Sequence, residues 1–277
     1  MDSMRRRSQL IPWKSAGRVS ERMVSGDDVV RSTGWVFNNE TGSELTLAEF
    51  VATGDDEVPA YLETFGVRGP ENQQRTIVEI GAGIGRMTCA FTREFGSVVA
   101  CDLDRGFLER CHETVGRFGK PDRLRTLEVA NGRTLDLPPN TADLAFSYIT
   151  LQHCEEDDAL ELASEAVRVV KPGGKIALNF RGPGLGDHLV VPAGAVVRSM
   201  YRVPKVGDWL SRQRSVTRLA WQASRLHPDQ VIGPLSPQLA EIEVWKNPGS
   251  KLSAAGASMR TFEGVHTHHW WLVAEVT

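Results

Sequence analysis

What this sequence lacks narrows the field before any motif is read. No stretch approaches the run of about 18 apolar residues that a membrane-crossing helix needs, so no transmembrane segment is expected. The amino terminus, Met1-Asp-Ser-Met4-Arg-Arg-Arg7, has basic residues but no apolar core behind them, so no secretory signal is expected either. Cysteine is scarce. Cys89, Cys101, Cys111 and Cys154 form no CxxC pair and no finger spacing, and read as reduced core thiols of a cytoplasmic protein. Charge of one sign is also missing: a net charge of −3 argues against a chain-wide nucleic-acid binder. No internal repeat is visible.

What is present has the texture of a parallel α/β domain. From Arg75 onward, short β-branched runs alternate with helical patterns. Strands are expected at Thr76–Ile80, Ser97–Cys101, Leu124–Val129, Ala142–Tyr148 and Lys175–Phe180. Helices are expected at Arg86–Phe95, Asp104–Phe118 and Asp157–Val170, the last stopped by Lys171-Pro-Gly-Gly174. In the middle one, Phe107, Leu108, Cys111, Val115 and Phe118 share a face. Such alternation builds a parallel sheet with helices on both faces.

The flanks differ. Residues 1–74 read as an extension, mostly loose to residue 34 with a short helix near Val19–Val24. Two more short helices follow, Ser43–Phe50 capped by Ser43 and Asp55–Phe65 capped by Asp55 or Asp56. Residues 75–277 form the main domain, with a helical insertion at about 182–235. Its apolar positions, Trp209, Leu210, Val216, Leu219, Ala220, Ala223 and Leu226, recur at helical spacing. Strand texture returns at Glu241–Trp245 and His269–Val276.

The stretch Ile77-Val-Glu-Ile-Gly81-Ala-Gly83-Ile-Gly85-Arg86 carries the chemistry. A glycine loop between strand and helix lets the backbone turn sharply and approach a ligand closely. Dinucleotide folds want Gly-x-Gly-x-x-Gly. Here the third glycine, Gly85, comes one position too early and Arg86 stands in its place, so that cofactor class is disfavoured.

At this point the chain resembles the class I S-adenosylmethionine (SAM)-dependent methyltransferases. Glu79, Gly81, Gly83 and Gly85 match their acidic-x-Gly-x-Gly-x-Gly motif, and Asp102 matches the acidic residue ending the next strand. The Asp143–His153 stretch is similar to their fourth-strand motif, and Arg168–Leu178 to the helix–turn–fifth-strand signature. The resemblance covers residues 75–181 well and the later strands loosely. It implies a seven-stranded Rossmann-like sheet, SAM as methyl donor and S-adenosylhomocysteine as product. It implies that Asp102, with Leu103 beside it, receives the ribose, and that Glu79 faces the methionine amino group. The loop Gly81-Ala82-Gly83 through Gly85-Arg86 would approach the donor, and Tyr148 and Ile149 would line the pocket. Where the family often has Asp and a small residue after the third strand, this chain has Asn131 and Gly132, a departure that still leaves an amide oxygen for adenine.

Acceptor chemistry is less marked. His153 follows the fourth strand and is the candidate general base; its alternative is a packing role. The Asn/Asp-Pro-Pro-aromatic turn of base amino methyltransferases is absent, Ser147-Tyr-Ile-Thr150 standing there instead. The favoured reading is a small-molecule acceptor methylated on a hydroxyl oxygen; a macromolecular acceptor and a non-catalytic SAM-binding protein are the alternatives. Arg198–Arg225 holds Arg198, Arg202, Lys205, Arg212, Arg214, Arg218 and Arg225 against Asp208 alone, a local +6. That stretch is either a solvated face or a basic lid over an anionic acceptor or a membrane surface. Asn179, Arg181 and His188 follow or end the fifth strand within reach of the acceptor. Glu155–Asp158 read as helix-dipole partners and His266, His268 and His269 as strand polar residues, with 266 and 268 on one face; no metal site is expected.

Overall fold

The computed structural model describes residues 23, 25–37, 45–184, 186–210 and 224–277. Among the described residues the first strand, β1 (Thr76–Ile80), is preceded by the α-helices α1 (Gly26–Phe37) and α2 (Leu47–Thr64). There follow α3 (Thr88–Glu94), β2 (Ser97–Asp102), α4 (Arg105–Phe118), β3 (Leu124–Glu128), β4 (Ala142–Ser147), α5 (Glu156–Val169) and β5 (Val170–Arg181). Beyond β5 come α6 (Asp187–Met200), α7 (Pro204–Leu210), α8 (Pro228–Leu235), β6 (Leu239–Lys246), β7 (Ser258–Thr261) and β8 (His269–Val276).

The strands form one sheet in the order β3-β2-β1-β4-β5-β8-β6-β7. β1 to β5 run parallel, and β8 is antiparallel between β5 and β6. The order reverses direction beside β1, so the carboxyl ends of β1, β2 and β4 open onto a crevice, the usual place for a ligand in an open α/β sheet. Among the described residues eight strands stand where seven were expected. The extra one, β7, is a four-residue edge strand, wholly exposed, whose Ser-Met-Arg-Thr carries no buried alternation to announce it.

Side chains alternate across the sheet as a two-residue period requires. Val78, Val99, Ala145, Ile176 and Trp270 pack with α5 and α8 on one face. Ile77, Val98, Leu144, Ala177 and Trp271 pack with α2 and α3 on the other. The expected break at Lys171–Gly174 is an irregularity inside β5: pairing jumps from Ala142↔Val170 to Leu144↔Lys175. Lys171 Nζ lies 2.8 Å from Asp143 Oδ1 there.

The two short helices expected before β1 are one. α2 runs through Gly54, Asp55, Asp56 and Pro59 without interruption, and its cap is Thr46. The Thr46 N–H donates to Glu49 Oε2 at 2.8 Å and Glu49 N–H returns the bond to Thr46 Oγ1 at 3.3 Å, a capping box. Asp55 and Asp56 are thus helix-interior residues and cap nothing. α1 was not expected; Ser25, accepting from the Asp28 N–H at 3.2 Å, is the local signal that marked it. The Val19–Val24 helix, the Ser43 cap, and the insertion positions Arg212, Arg214, Val216, Arg218, Leu219, Ala220 and Ala223 lie outside the described residues. No helix among the described residues is long and apolar enough to cross a membrane.

Candidate active site

The glycine loop leaves β1 and folds back over β2. Gly81 and Ala82 N–H groups both donate to the Cys101 carbonyl, at 2.8 and 3.0 Å. Gly81 has φ +87°, and a Cβ there would sit 1.9 Å from Thr150 Oγ1, so no side chain fits. The Gly83 N–H donates to Asp102 Oδ2 at 2.8 Å, while Asp102 Oδ1 accepts from the Asp104 N–H at 3.1 Å. Asp104, not Asp102, caps α4, accepting from the Gly106 and Phe107 N–H groups.

Two carboxylates therefore flank the loop at the ends of neighbouring parallel strands. Glu79 is 5% exposed and accepts a bond from the Thr88 hydroxyl at 2.7 Å. Burial pushes its carboxyl up to about 7, against the Thr88 bond and the Arg86 charge. Burial likewise pushes Asp102 up to about 6, opposed by the Gly83 and Asp104 N–H bonds. Both acids are thus destabilised as anions, and a cationic group between them would reverse that. Desolvation pushes the thiols of buried Cys89 and of half-buried Cys154, which lines the adjoining cavity, up to about 12. Neither is a nucleophile at neutral pH.

A cavity opens above these residues, lined by Glu79, Gly81, Ala82, Gly83, Arg86, Asp102, Leu103, Tyr148, Ile149 and His153. Gly85 lies behind the loop, where a Cβ would meet Cys111 Sγ at 3.1 Å; it shapes the turn. Asn131 and Gly132 do not line the cavity. Asn131 is exposed, and its amide oxygen is engaged by the Arg133 and Thr134 N–H groups at 2.9 and 3.0 Å, holding its own turn together.

The sequence reading missed Phe50, Met87 and Thr150, which also line the cavity. Phe50 arrives from α2, and nothing near it in sequence signals that role. Arg86 explains how α2 is held. Its guanidinium is buried, with Nη1 2.9 Å from Glu57 Oε2 and 3.1 Å from Thr53 Oγ1, between the rings of Phe50 and Tyr148. A Cβ on Gly54 would stand 2.3 Å from the Arg86 carbonyl, so the helix and the glycine loop touch backbone to backbone.

On the β4 side, Tyr148 stacks on Trp271 with centroids 5.5 Å apart and planes 3° from parallel. Ile149 has φ +57°, a left-handed conformation rare for a β-branched residue and costing on the order of 1–3 kcal/mol. Asn179 holds that strained turn: its Oδ1 accepts from Ile149 N–H at 3.3 Å and its Nδ2 donates to the Trp270 carbonyl at 3.2 Å. It supports the pocket wall from inside β5. His153 ends the next turn, nearly buried, and is among the residues that border the cavity. His188 is exposed at the start of α6. Asp158 is buried against Arg133 at 2.6 Å, so the acidic run is partly structural. His266 lies 5.5 Å from His269 and 5.7 Å from His268 by ring centroid. The expected pairing of 266 with 268 along a strand gives way to a turn, because β8 begins only at His269. Among the described residues no three His, Cys, Asp or Glu side chains gather as a metal ligand set.

Comparison with known proteins adds what geometry alone does not. A family model described as "Methyltransferase domain" matches residues 78–178. The chain is 26% identical over 163 residues to the ubiquinone/menaquinone biosynthesis C-methyltransferase UbiE of Salmonella arizonae, covering 56% of this chain and 61% of that protein. It is 30% identical over 107 residues to phosphoethanolamine N-methyltransferase 1 of Triticum aestivum, covering 39% of this chain and 21% of that one. In fold it is similar to the Haemonchus contortus phosphoethanolamine N-methyltransferase 2 structure, with TM-score 0.50 and 22% identity over 83% of this chain and 45% of that.

Proposed function

We propose, for a chain that belongs to the class I SAM-dependent methyltransferases, that it moves the methyl group of SAM to a small-molecule acceptor, at a hydroxyl oxygen. The observation that carries the coenzyme assignment is the pair of carboxylates on either side of the Gly81–Gly85 loop, Glu79 buried and Asp102 half-buried. Asp102, already oriented by two N–H groups, presents its remaining lone pairs toward the cavity, where a vicinal diol would donate to them. Glu79 sits where a cationic amino group would restore its charge. When bound, SAM supplies a methyl already activated on a sulfonium cation.

The chain's own contribution is placement, exclusion of water and proton handling. Tyr148, Ile149 and Phe50 wall the cavity. His153 borders it and would take the hydroxyl proton as the acceptor oxygen attacks. The two relatives above are named as a C- and an N-methyltransferase. Carbon is therefore the second reading, and a phenolic acceptor would need the same base for either outcome.

The test has two stages. Calorimetric titration should show SAM binding by the wild type, and its absence at millimolar SAM would sink the reading. Acceptor pools incubated with SAM are then screened for a gain of about 14 daltons, the mass of one methyl replacing a hydrogen. The position of a ¹³C-labelled methyl separates oxygen from carbon. Turnover unchanged in His153→Gln would remove His153 as base.

A further inference from the structure

The outer side of α6 inverts the usual pattern of a surface helix. Leu189, Ala193, Val196 and Met200 recur at positions i, i+4, i+7 and i+11, one face of a helix, and all four are exposed. From Leu189 to Met200 the one charged residue, Arg198, is turned inward at 6% exposure. A helix packed on a core ordinarily shows charge to water on its other side; here that side is aliphatic. Val203 follows in the chain, 55% exposed, and then Trp209 on α7, 58% exposed. Six large hydrophobic side chains are exposed among the described residues, and five stand in this one stretch, so they are not scatter.

The opposite side of the same helices is an ordinary core side. Val197 and Tyr201, with Leu210 of α7, share one apolar cluster with Val29 and Val30 of α1 and Phe50 of α2. The aliphatic outer side of α6 is therefore a second apolar face. The one polar side chain exposed between Leu189 and Met200, Ser199, donates its hydroxyl to the Val196 carbonyl at 2.6 Å and so needs no water.

Charge and length narrow the occupant. No acidic residue stands between Asp187 and Asp208, while Arg202 and Lys205 are exposed between the aliphatic positions and Trp209. A second copy docked by twofold symmetry would set these cations against the same cations, since such a contact puts one face on itself. An anionic surface meets them instead. The 14 residues of α6 span about 21 Å, short of a hydrocarbon core of about 30 Å, so the helix can lie on a bilayer but not cross it. Aliphatic side chains with an exposed tryptophan and flanking Lys and Arg are what an interfacial helix presents to lipid.

We propose that the outer side of α6 and α7 docks on the surface of a bilayer that contains anionic lipid. Leu189, Val196, Met200 and Trp209 enter the apolar boundary, and Arg202 and Lys205 meet the headgroups. Through Val197 and Tyr201 the docked helix shares its inner cluster with Phe50, which lines the cavity. The proposal does not rest on the methyltransferase reading.

The test is flotation of the full chain with vesicles of phosphatidylcholine alone and of phosphatidylcholine mixed with phosphatidylserine. Binding to the mixed vesicles is expected, about tenfold or more above that to phosphatidylcholine alone, and it should fall as salt is raised. Leu189→Gln with Val196→Gln should lower it about tenfold through lost apolar burial. Arg202→Gln with Lys205→Gln should lower it about tenfold on mixed vesicles and less than about twofold on phosphatidylcholine. Met259→Gln, the sixth exposed large hydrophobic, on edge strand β7, should change it less than about twofold. If the α6 pair does not fold, Val203→Gln with Trp209→Gln takes its place, with the same expected loss. The proposal is overturned if the wild type floats with neither vesicle or equally with both, or if Met259→Gln loses as much as the α6 pair. It is overturned too if vesicles leave the chain unbound while sedimentation shows a dimer that Val196→Gln dissociates, which would make this face a contact between copies.

Discussion

The two sides of the crevice are built on different principles. The coenzyme side, from β1 to β4, holds its polar groups through backbone: loop N–H groups meet the Asp102 carboxylate, and strand carbonyls fix the loop. The other side, from the end of β5 through α6 and α7, gathers the side chains of Arg181 and Arg225 around Asp187. It also carries most of the exposed large hydrophobics among the described residues, Leu189, Val196, Met200, Val203 and Trp209. Backbone geometry tolerates few substitutions and so leaves a readable motif. Side-chain clusters can be assembled from many sequences and leave none. That difference separates what is general in this protein from what is particular to it.

Breaking the coenzyme side should have the largest effect. Gly81→Ala forces a Cβ into Thr150, and SAM binding should become undetectable by calorimetry. Asp102→Ala removes an oriented acceptor of charged hydrogen bonds, and should weaken SAM binding by about 10- to 100-fold. Arg225→Gln, on the other side, should leave SAM affinity within about threefold, residues without shared partners being nearly independent. A loss of coenzyme affinity there would mean the two sides are one unit.

Acidity tests the coenzyme side again. In the free protein Glu79 is pushed up to about 7 and Asp102 to about 6, both by burial. Such groups favour the fold below the ordinary carboxylate range and withdraw that support as pH rises through 6 to 7. A cationic ligand favours the ionised forms, so the dependence of binding is opposite. SAM affinity should be full above pH 7 and fall by about tenfold per unit as one carboxylate must first lose its proton. A flat profile between pH 5.5 and about 7.5, a span bracketing both groups, would show that neither carboxylate faces the cation.

The smallest expected effects are on stability and motion. Ile149→Gly should relieve left-handed strain and raise stability by about 1 kcal/mol, read as a denaturant midpoint. Hydrogen exchange should reach the amides of α6 and α7 before those of β1, β4 and β5, whose residues are buried on both faces. Equal protection would erase the contrast.

The same contrast explains what was legible beforehand. The sheet and its glycine loop could be read because strand period and a glycine turn are local properties, whereas Asp102 was matched through the family resemblance. Helix α2 was split in two because Gly54, Asp55, Asp56 and Pro59 look like breakers and caps, whereas contact with the Arg86 carbonyl and the capping box at Thr46 carry the helix through them. Asn131 was expected at adenine from its position after β3; in the fold its amide oxygen accepts from the Arg133 and Thr134 N–H groups, a turn contact that the position does not announce. The basic residues could be counted in the sequence but not assembled, since Arg181 and Arg225 are brought together by the Leu226–Arg181 backbone bond and by Asp187, contacts that no local pattern announces.

Trp270 and Trp271 are neighbours in β8 and so face opposite sides of the sheet. Trp271 stacks on Tyr148 at the cavity wall, while Trp270 stacks on Phe180 and donates its indole N–H to the Leu226 carbonyl, beside Arg225. The two adjacent indoles, both buried, thus back different regions, Trp271 the Tyr148 wall and Trp270 the Leu226 return. The difference in emission between the wild type, with its seven tryptophans, and Trp271→Phe or Trp270→Phe isolates each ring's share of the response to a ligand.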